Sequence, residues 1–128
     1  MKKYLVICLL LVSGSLFAQT SSEIQFPVVT HDFGKIKQHV PASFTFTFTN
    51  KSSKPVVIEV ASADCGCTNP EYSKAPILKG KSSDIKVTYN AENAGSFKKN
   101  VTVKFANVTD AIILTINGEV EAAKPGKK

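Results

Sequence analysis

Two cysteines separated by one glycine, Cys65-Gly66-Cys67, are the residues of this chain whose types and spacing could do chemistry. In an extended strand, residues two apart project to the same face, so the two thiols would lie side by side. Their separation is then near the upper limit for a disulfide, and Gly66 tolerates backbone angles that would bring the sulfur atoms together. Cys65 and Cys67 are therefore a candidate disulfide or redox pair.

Three roles are open for this pair. A strained disulfide closing so small a ring would be easily reduced and could exchange with the thiols of a partner. Two thiolates could instead bind a soft ion such as Cu(I), with a third ligand from elsewhere in the chain. In the third role the pair is structural and fills the end of the domain. Zinc is disfavoured because a closed site needs four ligands. We expect no metal or cofactor, with Cu(I) at Cys65 and Cys67 as the alternative.

The residues around the cysteines do not suggest a catalytic centre. A carboxylate such as Asp64 next to a thiol disfavours the reactive thiolate. His31 and His39 are the only imidazoles. We expect both at the surface or in turns, with a metal ligand beside Cys65 and Cys67 as the alternative, and we expect Asp32 in an Asx turn. The sequence has no Ser-His-Asp set, phosphate-binding loop or dinucleotide glycine motif. It therefore predicts a protein that is not an enzyme and has no catalytic residues.

The N-terminal residues 1–18 have the composition of a secretory signal peptide. Two lysines begin the segment, residues 4–12 are an unbroken apolar stretch, and small residues follow. The stretch is short for a permanent membrane anchor. Cleavage is expected between Ala18 and Gln19, which would also remove Cys8. The sequence thus predicts an exported protein, periplasmic or extracellular, in a compartment where thiols tend to oxidise.

The net charge is basic without the features of a nucleic-acid-binding protein. The 128 residues include 16 lysines and no arginine against 10 acids, for a net charge of +6. Base recognition relies on arginine and stacking relies on exposed aromatic rings. Lysines on outward strand positions are explained by solubility and by blocking of edge-to-edge pairing, although attraction to anionic envelope surfaces is also open. We expect no nucleic-acid partner and no transmembrane segment after the signal peptide.

The elements that must position the cysteines are β-strands. Phe44, Phe46 and Phe48 alternate with threonines, and only a strand puts such residues on opposite faces. The same alternation predicts strands within residues 56–60, 85–89, 101–105 and 112–116, and a first strand over residues 24–36 broken at Pro27 and at His31-Asp32. Turn-forming residues lie between these segments, and none has helical periodicity.

This pattern predicts an all-β fold. Short strands at regular spacing indicate a single immunoglobulin-like antiparallel β-sandwich of about seven strands. The sandwich would occupy residues 19–121, and residues 122–128 would form a basic disordered tail. The sequence has no Trp and lacks the inter-sheet disulfide of antibody domains, so a variant of the sandwich is expected.

Several stretches of the sequence resemble one family. They are His31-Asp32-Phe33-Gly34-Lys35-Ile36, the Phe-Thr alternation of residues 44–49, Asp64-Cys65-Gly66-Cys67-Thr68, and Leu114-Thr115-Ile116-Asn117-Gly118-Glu119-Val120. Over about residues 26–120 the chain resembles the DUF1573 family of secreted bacterial proteins, with the Cys-Gly-Cys-Thr motif as a fairly specific part. The resemblance implies export and an immunoglobulin-like domain similar to ASPM/SPD-2/Hydin and PapD-like domains. It implies no activity, because the function of the family is unknown.

The sequence thus predicts an exported, non-enzymatic binding or structural module of the bacterial cell envelope, whose protein or envelope partner is unknown. Recognition would use a sheet edge or end loops, and the loop of residues 65–72 is the expected functional end. The alternative is a small thiol module in which Cys65 and Cys67 exchange disulfides or bind Cu(I).

Overall fold

The computed structural model describes residues 23–124, which form two packed β-sheets of four strands each. In chain order the strands are β1 (Ile24–Gln25), β2 (Thr30–Lys37), β3 (Ala42–Asn50), β4 (Ile58–Ala63), β5 (Thr68–Tyr72), β6 (Ser82–Tyr89), β7 (Gly95–Phe105) and β8 (Ile112–Glu121). The segment predicted as a signal peptide, with its cleavage site between Ala18 and Gln19, lies outside the described residues, as does the predicted tail from residue 125 on. Within the described residues, no helix is long and apolar enough to span a membrane.

The strand order is that of an immunoglobulin sandwich. One sheet runs β1-β3-β6-β5 and the other β2-β8-β7-β4, which matches the A-B-E-D and C-F-G sheets of such domains. β1 and β2 together take the place of the first strand, which starts against β3 in one sheet and then crosses to β8 in the other. The predicted all-β sandwich is confirmed, and the division of the first strand explains why there are eight strands.

The first strand differs from its prediction in two respects. Its break lies at residues 26–29, around Pro27, whereas His31 and Asp32 lie inside β2. In addition, β2 pairs with β8 in parallel, so the sandwich is not wholly antiparallel. Because the chain keeps its direction when it crosses between the sheets, it meets a last strand that runs the same way.

The core lies between the sheets and is built from the alternation seen in the sequence. Phe46 and Phe48 of β3 are buried, while Thr45 and Thr47 on the opposite face are exposed. The other side chains with less than 2% exposure are Ile58, Ile85, Val87, Ala91, Val101, Val103, Phe105, Leu114, Ile116 and Asn50. Each large apolar side chain buried in this way contributes roughly 1.5–3 kcal/mol to folding.

An isolated β-bridge between Val56 and Ile77 replaces part of a predicted strand at the end of the sandwich before β4. The predicted strand over residues 56–60 begins only at Ile58, because Val56 forms an isolated bridge with Ile77 instead of pairing with β7. The backbone N–H of each of these two residues donates to the carbonyl of the other, at 2.9 and 2.8 Å. The bridge joins the loop between β3 and β4 to the loop between β5 and β6.

Candidate functional site

The Cys-Gly-Cys motif lies in the turn of residues 64–67, which connects β4 at the edge of one sheet to β5 at the edge of the other. Cys65 and Cys67 are joined by a disulfide, with their Cα atoms 5.3 Å apart. The expected contribution of Gly66 is not seen. Its φ is not positive, and a Cβ added to it would meet nothing within 4 Å. The turn therefore brings the cysteines together without any special freedom of the glycine.

The disulfide is half-buried and is held from the side of the core. Cys67 packs against the core, and the buried Thr68 places its hydroxyl 3.8 Å from the sulfur of Cys65 and 3.7 Å from that of Cys67. The Asn90 N–H donates to the carbonyl of Cys67 at 2.9 Å. These contacts fix the turn to β5 and to the start of the loop between β6 and β7.

Asp64 anchors the same turn to β7. Its backbone N–H donates to the carbonyl of Asn100 at 3.1 Å, and its Oδ2 accepts from the Asn100 N–H at 3.2 Å. The side-chain oxygen extends the pairing of β4 with β7 by one residue. The carboxylate therefore has a structural hydrogen bond and is not simply a neighbour of the cysteines.

Two further loops complete this end of the sandwich. The His39 N–H donates to the carbonyl of Ala91 at 2.9 Å, and both residues have a positive φ, 66° and 55°, which is uncommon outside glycine. The side chain of Gln38 donates to the carbonyl of Glu92 and accepts from the N–H of Ala123. We call this hydrogen-bonded surface the disulfide end; it consists of residues 38–41, 64–67 and 90–94.

The two histidines occupy different surroundings. His39 lies in a loop, as predicted, but His31 is a half-buried residue of β2 whose ring stacks on Phe44 at 3.8 Å. The prediction of a surface or turn position is therefore wrong for His31, because β2 turns this ring toward the facing sheet. Asp32 accepts a hydrogen bond from the Gly34 N–H at 2.7 Å, which confirms the Asx turn.

A third ligand for a Cu(I) site is not found near the cysteines in the described part of the chain. Among residues 23–124, no group of three or more His, Cys, Asp and Glu side chains could hold a metal ion. Cys65 and Cys67 are also bonded to each other, so they would have to be reduced before either could act as a thiolate ligand.

The prediction that residues 65–72 form a loop is wrong in its second half. The turn ends at Cys67, and Thr68–Tyr72 is the edge strand β5. The inward and outward alternation of a strand is present in these residues, but Pro70 masks it, because proline is rare within strands. Sequence reasoning also missed Tyr72, whose hydroxyl accepts a hydrogen bond from the Ala61 N–H of β4 at 3.3 Å.

Pro70 obstructs the free edge of β5. The Asn90 N–H donates to Cys67, one position before the first register pair of β5 with β6. Bonded and unbonded residues alternate in an antiparallel pair, so the backbone of Pro70 faces away from β6. A further strand adding to this edge would meet the proline ring where it needs an N–H donor.

The other three edges are obstructed as well. In β4 the hydroxyl of Tyr72 occupies the outward N–H of Ala61, and the register shifts between Ile58 and Val60. β2 has its own register shift and exposed lysines, and β1 is only two residues long. Irregular, charged or short edges of this kind resist the addition of a strand. The loops at the two ends are therefore the more accessible surfaces for recognition.

A family model described as "Protein of unknown function (DUF1573)" matches residues 24–120 of the chain. No curated protein matches the sequence. Among solved structures, the ASH/PapD-like domain 7 of human CEP192 is similar, with a TM-score of 0.68 and 7% identity over 80% of this chain and 87% of that one. A protein of unknown function from Porphyromonas gingivalis W83 has a TM-score of 0.65 and 11% identity over 75% of this chain and 46% of that one.

The fold also recurs within larger proteins of other kinds. The VesB protease of Vibrio cholerae has a TM-score of 0.61 and 12% identity over 77% of this chain, but only 32% of the protease is covered. The chain likewise spans about half the length of the Porphyromonas gingivalis protein. At such low identities the likeness shows an immunoglobulin-like, PapD-like fold alone.

Proposed function

This chain belongs to the DUF1573 family, and we propose that it is an exported, non-enzymatic binding module of the bacterial cell envelope that recognises its partner through the disulfide end. The observation that carries this proposal is the obstruction of the sheet edges, since Pro70 lies in β5 and Tyr72 occupies the edge of β4. With strand addition disfavoured, the end loops become the recognition surface.

The disulfide end suits recognition because it is rigid and carries an exposed apolar residue. Its turn is closed by the Cys65–Cys67 bridge, and its other loops are joined through His39 and Ala91. A preformed surface of this kind loses little conformational freedom on binding. Val40 is 53% exposed beside these contacts and is the apolar side chain that we assign to the partner contact.

A non-enzymatic role agrees with how the polar side chains of this end are used. The side chains of Asp64 and Gln38 both form hydrogen bonds with backbone groups of neighbouring segments. Both side chains hold loops in place, and the Asp64 carboxylate is the one of the two that could otherwise transfer a proton. Export is supported by the signal-like composition of residues 1–18 and by a disulfide that suits an oxidising compartment.

Site-specific photo-crosslinking in the host envelope tests this function. A photoreactive residue at position 40 should give a discrete crosslinked product, because Val40 lies on the disulfide end. The matched control is position 60, since Val60 is a similarly exposed valine on β4, at 41%. Products from position 60 but none from position 40 would contradict recognition through the disulfide end.

The second candidate function is disulfide exchange, favoured by a half-buried bridge that closes a ring of two cysteines one residue apart. In such an exchange, two thiols of a partner would be oxidised to a disulfide while Cys65 and Cys67 are reduced to two thiols. The reduced pair is also the form that could bind Cu(I) as two thiolates.

Replacement of both cysteines by serine separates the two candidates. If the C65S/C67S variant keeps its crosslinks at position 40 and supports normal envelope function in the host, the thiol function is excluded. If the variant folds and keeps its crosslinks at position 40 but no longer supports envelope function in the host, partner recognition is not the main role. Trapping of thiols after equilibration in glutathione buffers then gives the reduction potential of the bridge.

A further inference from the structure

A cluster of lysines lies at the end of the sandwich opposite the disulfide end. The loops of residues 51–57 and 73–81 contain no acidic residue and carry five exposed lysines: Lys51, Lys54, Lys74, Lys79 and Lys81. Within residues 23–124, the ion pairs are Lys35–Glu121 and Lys104–Glu59, so none of the five lysines is neutralised by a paired carboxylate there. We call these two loops the lysine end.

The two loops form one fixed frame. Besides the bridge between Val56 and Ile77, the Gly80 N–H donates to the carbonyl of Asn50 at 2.7 Å, and the Asn50 N–H donates to the carbonyl of Lys81 at 2.9 Å. The side chain of Asn50 donates to the carbonyls of Lys54 and Ile77. The lysines therefore project from a shared scaffold, and their charges lie at the same end of the domain.

Leu78 lies among these lysines and is 56% exposed. The residue before it, Ile77, is buried at 6% exposure, so the frame is anchored in the core directly below the exposed leucine. Three acidic residues lie at this end on other segments: Glu23, whose carbonyl accepts from the Lys51 N–H at 2.7 Å, Glu59, which pairs with Lys104, and Asp110. The five lysines outnumber them. The lysine end thus combines an excess of positive charge with a protruding apolar side chain.

We infer that the lysine end docks the protein on an anionic lipid bilayer, with Leu78 entering the boundary between headgroups and acyl chains. A cluster of basic residues is attracted to the negative surface of an anionic bilayer. A soluble polyanion would attract the lysines but offers no apolar layer for Leu78. This docking is independent of the proposed partner recognition and would turn the disulfide end away from the membrane.

Binding to lipid vesicles by two matched triple variants tests the role of the lysines. K51Q/K54Q/K79Q removes three charges from the lysine end, and K37Q/K86Q/K98Q removes three exposed charges elsewhere. On vesicles of phosphatidylcholine with phosphatidylglycerol, the first variant should bind about a hundredfold more weakly than the unchanged protein and the second less than about threefold. The segment before residue 23 is common to all three proteins, and binding to pure phosphatidylcholine vesicles is subtracted.

The L78S variant distinguishes a bilayer from a soluble polyanion. It should weaken binding to the anionic vesicles several-fold and leave binding to inorganic polyphosphate unchanged. Circular dichroism and urea midpoints establish that all variants are folded. Equal losses in the two triple variants, no preference for anionic vesicles, or full vesicle binding by L78S would each overturn bilayer docking.

Discussion

Asn50 is the polar residue on which one end of the fold depends. It is fully buried, and its amide donates to the carbonyls of Lys54 and Ile77 while its oxygen accepts from the N–H and hydroxyl of Ser52. Asn50→Ala leaves the Ser52 N–H without its acceptor, whereas the carbonyls of Lys54 and Ile77 still accept from the Ser52 hydroxyl and the Val56 N–H. We therefore expect the free energy of unfolding to fall by about 1–3 kcal/mol. Urea denaturation measures the change. Asn100→Ala, at an exposed position, should cost less than about 1 kcal/mol; equal losses would argue against the role of Asn50.

Gly118 and Gly66 are predicted to respond differently to the same substitution. A Cβ on Gly118 would lie 2.9 Å from the carbonyl oxygen of Gly34 and 3.0 Å from the ring of Phe97, whereas one on Gly66 meets nothing within 4 Å. We expect Gly118→Ala to lower the free energy of unfolding by about 1–3 kcal/mol. Gly66→Ala should stay within about 0.5 kcal/mol of the unchanged protein. Thermal or urea unfolding of both variants measures these changes. A larger loss of unfolding free energy for Gly66→Ala than for Gly118→Ala would contradict the geometry of the turn.

Among the strands, the edge strand β5 is protected from pairing with another strand by one residue. Pro70 has no N–H and faces the free edge, so Pro70→Thr would supply the missing donor and permit pairing with a second copy. We expect the variant to self-associate in sedimentation velocity experiments at concentrations where the unchanged protein is monomeric. The control is Asn69→Thr, at an exposed position whose backbone bonds to β6. Self-association of the control to the same extent would show that the edge is not the cause.

The strands that could be predicted are those whose burial follows a simple alternation. Phe46 and Phe48 mark β3 because burial of one face imposes a period of two on the sequence. β5 was missed because Pro70 interrupts the residues that suggest a strand. The parallel pairing of β2 with β8 was missed because it depends on where the chain crosses between sheets near Pro27, which no local pattern specifies.

The candidate site was predictable only where it is local. Cys65 and Cys67 are close in sequence, so their spacing alone suggested that they interact. The contacts of Gln38 and His39 with the loop around Ala91 are long-range. They depend on which connections share an end of the sandwich, and that follows only from the complete strand order. The same holds for Leu78 and the lysines, whose common frame depends on the bridge between two distant loops.

The whole molecule carries its two candidate surfaces at opposite ends of a rigid sandwich. The 11 residues of β7 run between these ends and span about 35 Å at roughly 3.3 Å per residue. A domain of this shape can contact a membrane and a partner at once without either contact obstructing the other. The two opposite ends also set the orientation of the proposed envelope module, with Leu78 toward the bilayer and Val40 toward the partner.

Because the length of β7 separates the two ends, substitutions at them should act independently. C65S/C67S opens a ring of three residues and should lower the free energy of unfolding by about 1.5 kcal/mol. K51Q/K54Q/K79Q should weaken vesicle binding without a comparable effect on the disulfide end. In the combined variant we expect the changes in unfolding free energy to add within about 0.5 kcal/mol. Vesicle binding should equal that of the lysine variant. Weaker vesicle binding caused by the cysteine substitutions would mean that the disulfide influences the conformation of the lysine end through the core. The two surfaces would then be energetically coupled.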